Sequence, residues 1–162
     1  NVDIHVTDAY DWHDVPNDSV DIVVSGQALE HVEYFWASVF EIGRVLKHVR
    51  KESDKRRVQA LVYVGDAMEE AIDDLAAAAG ELGLLGVPAF VFQEGDDAIA
   101  ERAFREVARL TRGAYCRFDL SAAHELAELL RAAAVYAAGG VKALTDLSAR
   151  HAGAQKLLAQ MR

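Results

Sequence analysis

The sequence predicts an α/β fold, a three-layer sandwich with a mostly parallel sheet of about five strands and helices on both faces. Apolar runs of strand length alternate with stretches of helical periodicity: "VDIVVS", "VQALVYVG", "VPAFVFQ" and "AYCRF" are each followed by an amphipathic segment. The runs are apolar almost throughout, as strands covered on both sides require. With 162 residues, 52% hydrophobic and 27% charged, the chain can bury a real core, and residues 1–162 read as one domain.

Val2 to Thr7 alternates and is rich in β-branched residues, which predicts a first strand. "DAYDWHDVPNDS" is turn chemistry, with Pro16, Asn17, Asp18 and Ser19 together. Val20 to Ser25 is a strand apolar on both faces. Phe35, Val39, Ile42, Leu46 and Val49 then recur at helical spacing, in a helix that ends near Lys51 or Glu52. After the strand "VQALVYVG", Asp66 leads into a helix with Glu69 and Glu70 in its first turn, where carboxylates suit the dipole. Met68, Ile72, Leu75 and Ala79 form its inner stripe, and Gly80, Gly83 and Gly86 are expected to end it. Pro88 opens the strand "VPAFVFQ", where a missing N–H is tolerated.

Ile99, Ala103, Val107 and Leu110 mark the next helix, with Gly113 expected as its C-cap. "AYCRF" is the last strand. Ser121 is placed to N-cap a helix carrying Leu126, Leu129, Leu130 and Ala133, and Gly139 and Gly140 break it. A final amphipathic helix over 140–162 carries Val141, Leu144, Leu147, Leu157, Leu158 and Met161, with an interruption expected at Gly153. Right-handed crossovers then place successive strands side by side in a Rossmann-like arrangement. Ligands of such sheets bind beyond the carboxyl ends of the strands, here at Asp8, Ser25, Gly26, Asp66 and Glu94.

A net charge of -9 argues against general nucleic-acid binding, and no apolar run approaches bilayer length. The basic stretch Arg44, Lys47, Arg50, Lys51, Lys55, Arg56 and Arg57 reads as a basic last turn and solvated loop, because no aromatic residues are interleaved with it. No secretory signal is visible, and Asn1 in place of Met fits a longer parent or a processed end. Cys116 is the only cysteine and lies in an apolar-aromatic run, so it reads as a reduced, buried thiol. These features predict a cytoplasmic protein.

Two families are resembled. The stretch from Val2 to Lys47, through "VTDAYDW", "SVDIVVSGQALEHV" and "FEIGRVLK", resembles class I S-adenosylmethionine-dependent methyltransferases. The resemblance implies cofactor contacts at Asp8, on the adenine side, and at Ser25, near the methyl-transfer site. The family's Gly-rich cofactor loop would lie before Val2, and its Pro-Gly-Gly turn is replaced by His48 and Val49. From Ile42 to 138 the chain resembles the C-terminal half of a bacterial von Willebrand factor A (VWA) domain, through "RVQALVYVGDAMEE", "GELGLLGVPAFVFQEG" and "AERAFREVARLTRGAYCRFD". This implies a metal-ion-dependent adhesion site for Mg2+ or Mn2+ with Asp66 as one ligand. The family's Asp-x-Ser-x-Ser loop is absent, and its Thr falls near Phe40, which cannot ligate. The two resemblances overlap at "IGRVLK", as if two halves joined within one helix.

For Asp66 a helix cap at a strand end is favoured over metal ligation, and for Asp8 turn chemistry is favoured over an adenine contact. Glu30 and His31 are neighbours and do not share a helix face. Trp12 and Trp36 read as packing residues. The expected function is a non-catalytic VWA-like module that binds a protein partner, with an incomplete adhesion site. The alternatives are a structural α/β scaffold that self-associates through the final helix and, ranked below it, a methyltransferase fragment lacking the Gly-rich cofactor loop, for which S-adenosylmethionine binding is disfavoured; no cofactor is expected.

Overall fold

The computed structural model describes residues 41–55, 57–68, 71–119 and 123–161. Their elements run α1 (Glu41–Ser53), β1 (Leu61–Gly65), α2 (Ile72–Leu84), β2 (Ala89–Glu94), α3 (Ala98–Thr111), β3 (Ala114–Phe118), α4 (Ala123–Ser148) and α5 (Ala152–Leu158). The described strands form a parallel three-stranded sheet in the order β1-β2-β3, with Leu61 beside Ala89 and Phe90 beside Ala114. The two strands expected at Val2 to Thr7 and Val20 to Ser25 lie outside the described residues.

Because neighbouring side chains on a strand point to opposite faces, the apolar strands supply two cores. Leu61, Tyr63, Ala89, Val91 and Tyr115 join one cluster with α1, α2 and α3, through Leu46, Leu75, Leu82 and Phe104. Val62, Val64, Phe90, Phe92, Cys116 and Phe118 join the other with α4 and α5, through Leu129, Ala133, Leu144 and Leu157. Of the C-terminal apolar stripe Leu144 and Leu157 are buried and Leu147, Leu158 and Met161 pack against their cluster, while Val141 is exposed. Consecutive crossovers in one direction place α2 and α3 on one face, and α1 packs into the same cluster.

Several local expectations are corrected. Gly80 and Gly83 lie inside α2, which ends at Leu85 and Gly86, where φ is 72°. Gly83 is required by packing: a Cβ there would stand 2.1 Å from the Leu110 carbonyl oxygen. The left-handed residue that ends α3 is Arg112 (φ 57°), not Gly113. Gly113 instead lets the chain pass Ala89, whose carbonyl oxygen would be 1.8 Å from a Cβ. Ile99 is 62% exposed in the first turn of α3 and is not part of its buried stripe, which runs through Ala100, Ala103, Phe104, Val107 and Ala108. The first turn of α2 carries Asp73 and Asp74, while Glu69 and Glu70 precede the helix and lie outside the described residues. Gly140, with φ 67° and ψ -163°, bends α4 as expected. The break before α5 falls ahead of Gly153, which is buried within α5 where a Cβ would meet the Glu128 backbone.

Candidate functional site

Parallel strands in sequential order bring their carboxyl ends together. Gly65 pairs with Gln93, and Glu94 pairs with Phe118, so Asp66, Glu94 and Asp119 stand at adjacent strand ends. Asp66 and Glu94 are half-buried and Asp119 is exposed. Counting along the sequence places Asp66 and Glu94 at this rim but misses Asp119, although its position just after "AYCRF" is the available signal. Asp8, Ser25 and Gly26 lie outside the described residues, as do Trp12, Trp36, Glu30, His31 and Ser121.

The loop leaving β2 is held firmly. Gly95 takes a positive φ of 75°, turning the chain away from the strand. Asp97 then caps α3, its Oδ1 accepting from the N–H groups of Ile99 at 2.7 Å and Ala100 at 2.8 Å. Beneath the loop, the fully buried Gln93 donates through Nε2 to the Asp97 carbonyl at 2.9 Å. Its carboxamide oxygen accepts from the Tyr115 hydroxyl at 2.7 Å. Arg105 lies over the Tyr115 ring, 4.4 Å from its centroid. Burial, followed by the Glu101 carboxylate, raises the Tyr115 phenol above its usual range. Sequence reasoning misses this brace; a lone Gln at the end of an apolar strand is the only local sign of it.

A hard cation takes about six oxygen ligands. Among the described residues no three His, Cys, Asp or Glu side chains gather to hold one. Burial pushes the Cys116 thiol up to about 11, outweighing the opposing pull of Lys156 and Gln160, so it stays protonated near neutrality. His151 pairs with Glu128 at 3.0 Å, tying α5 to α4.

Of the described basic side chains in and after α1, Lys47, Lys51, Lys55 and Arg57 are exposed and Arg50 is half-buried. Arg50 pairs with Asp54 at 2.6 Å and Glu81 at 3.4 Å, and Lys55 pairs with Glu52 at 2.8 Å. Among the described residues no helix is long and apolar enough to cross a membrane.

No curated protein and no solved structure matches the chain. A family described as "Methyltransferase domain" does match, over residues 1–49. That stretch ends inside α1, so the similarity to a methyltransferase domain reaches the described fold through this one helix.

Proposed function

We propose that this chain carries part of an S-adenosylmethionine-dependent methyltransferase-like unit, in which residues 1–49 hold the nucleoside with Asp8 on its adenine side and Ser25 near the methyl group. The observation that carries this reading is the family match over that stretch. α1 supports it: the helix is packed on the sheet face shared by α2 and α3, where a right-handed crossover into β1 would leave it. On this reading the strands expected at Val2 to Thr7 and Val20 to Ser25 bring the sheet to about five strands in a three-layer sandwich, with the position of the first left open. The test is thermal unfolding with S-adenosylhomocysteine. A ligand at a hundred times its Kd stabilises by about 2.7 kcal/mol, a shift of several degrees. Asp8→Ala should remove the shift, and a midpoint indifferent to the nucleoside defeats the reading.

A second reading is favoured by a specific observation. β1, β2 and β3 are parallel and sequential, and Asp66 directly follows β1. α1 also continues to Ser53, past the point where the methyltransferase resemblance calls for a Pro-Gly-Gly turn. Both features support a VWA-like protein-interaction module for the region from Ile42 onward. Magnesium or manganese should then raise the melting midpoint in wild type but not in Asp66→Ala; equal midpoints with and without metal would count against a retained adhesion site.

A further inference from the structure

A second feature lies at the opposite end of the sheet, below the amino ends of β1 and β2. There the link from α1 to β1, the turn from α2 to β2 and the bend of α4 enclose a cleft of about 570 Å³. Lys55, Arg57, Val58, Leu85, Tyr136 and Gly140 line it. The Tyr136 ring packs edge-on against the buried Phe90, with centroids 5.2 Å apart at 72°.

Two independent observations give the cleft a chemistry. The first is apolar exposure. Among the described residues the exposed large hydrophobic side chains are Leu84, Leu85, Ile99 and Val141. All but Ile99 sit on or next to the cleft: Leu85 lines it at 45% exposure, Leu84 precedes it at 91%, and Val141 at 54% follows Gly140. Of these only Leu85 itself lines the cleft, beside Val58 and Tyr136, which gives the recess an exposed apolar wall. The second is charge. In a chain of net charge -9, the cleft wall is basic, with Lys55 and Arg57 both exposed. Among the described lining residues the one carboxylate, Asp54, is engaged by Arg50 at 2.6 Å. The Lys55 pair with Glu52 is a surface ion pair, which exchanges partners at little cost.

We propose that this cleft docks an acidic peptide segment bearing apolar side chains, which seats a leucine-like group against Leu85, Val58 and Tyr136 while its carboxylates meet Arg57 and Lys55. A recessed site walled by three separate segments suits an extended chain that can enter it. A bilayer surface is flat and would rest on the rim. The proposal rests on neither reading of the strand ends, and it holds or fails apart from them.

The test is fluorescence anisotropy of a short fluorescein-labelled peptide of alternating glutamate and leucine, titrated with the full chain. The same titration is run with a lysine-leucine counterpart, and sedimentation with phosphatidylglycerol vesicles is run alongside. The glutamate peptide should bind saturably and weaken with added salt. The lysine peptide should not bind. Arg57→Glu should weaken the glutamate peptide by about tenfold. Leu85→Ser should weaken it as well, and both variants alter exposed side chains, so unchanged melting midpoints would show that the fold is intact. The proposal is overturned by absence of saturable binding, by equal affinity in Arg57→Glu, or by vesicles that sediment the chain without competition from the peptide.

Discussion

The Tyr115 hydroxyl donates to the Gln93 carboxamide oxygen at 2.7 Å, joining β3 to β2 through side chains two residues out of register. Both groups are buried, so each depends on the other for satisfaction. Tyr115→Phe strands the Gln93 acceptor and should cost about 1–3 kcal/mol in denaturant unfolding. Gln93→Leu with Tyr115→Phe removes both polar partners, so the double variant should lose less than the two single losses added together. Strict additivity in that cycle would show that the bond carries no coupling.

The glycines make opposite predictions. Gly113→Ala drives a Cβ into the Ala89 carbonyl, and the backbone there has no rotamer with which to yield. We expect a loss of about 3 kcal/mol or more, among the largest that a single methyl can cause. Gly80 lies mid-helix, and a methyl added there would meet nothing within 4 Å, so Gly80→Ala should gain about 1 kcal/mol. Chemical unfolding of the two variants beside wild type decides both.

Arg112 occupies a left-handed conformation that glycine adopts without strain. Arg112→Gly should therefore raise stability by about 0.5–1 kcal/mol, measured as an increase in the urea midpoint at unchanged slope. A fall in the midpoint would mean that the arginine side chain contributes more than its backbone costs.

Burial raises the Cys116 thiol from its ordinary value near 9 to about 11. The fold favours the neutral thiol, so this contribution is fully present below pH 9 and is lost as pH rises through 11. The melting midpoint of wild type should fall more steeply over that window than that of Cys116→Ala. In the native chain at pH 8, reaction with a disulfide reagent should be at least about a hundredfold slower than for a free thiol, and it should become fast in urea.

The three described strands and their helices are legible in the sequence because burial on both faces leaves continuous apolar runs, and because alternation with helices implies sequential parallel pairing. What is not legible is non-local. Gly83 and Gly113 look like helix breakers in one dimension, yet their roles are set by Leu110 and Ala89 on neighbouring elements. Ile99 fits a helical stripe by spacing, but Asp97 starts the helix so that Ile99 faces solvent. At the rim, Asp66 and Glu94 can be placed by counting to strand ends. The Gln93–Tyr115 bond cannot, because its partners are separated by a whole helix.

The Gln160 side chain accepts from the Tyr115 backbone N–H at 3.0 Å, on the outer side of β3. A single carboxamide thus occupies a position that an incoming strand would need. Trimming the chain before α5 would strip this cover and bare the apolar "AYCRF" edge. Among the described strands β3 is the outer one, so a chain that ends before α5 should expose this side and precipitate at concentrations where the full chain stays dispersed, as light scattering would read.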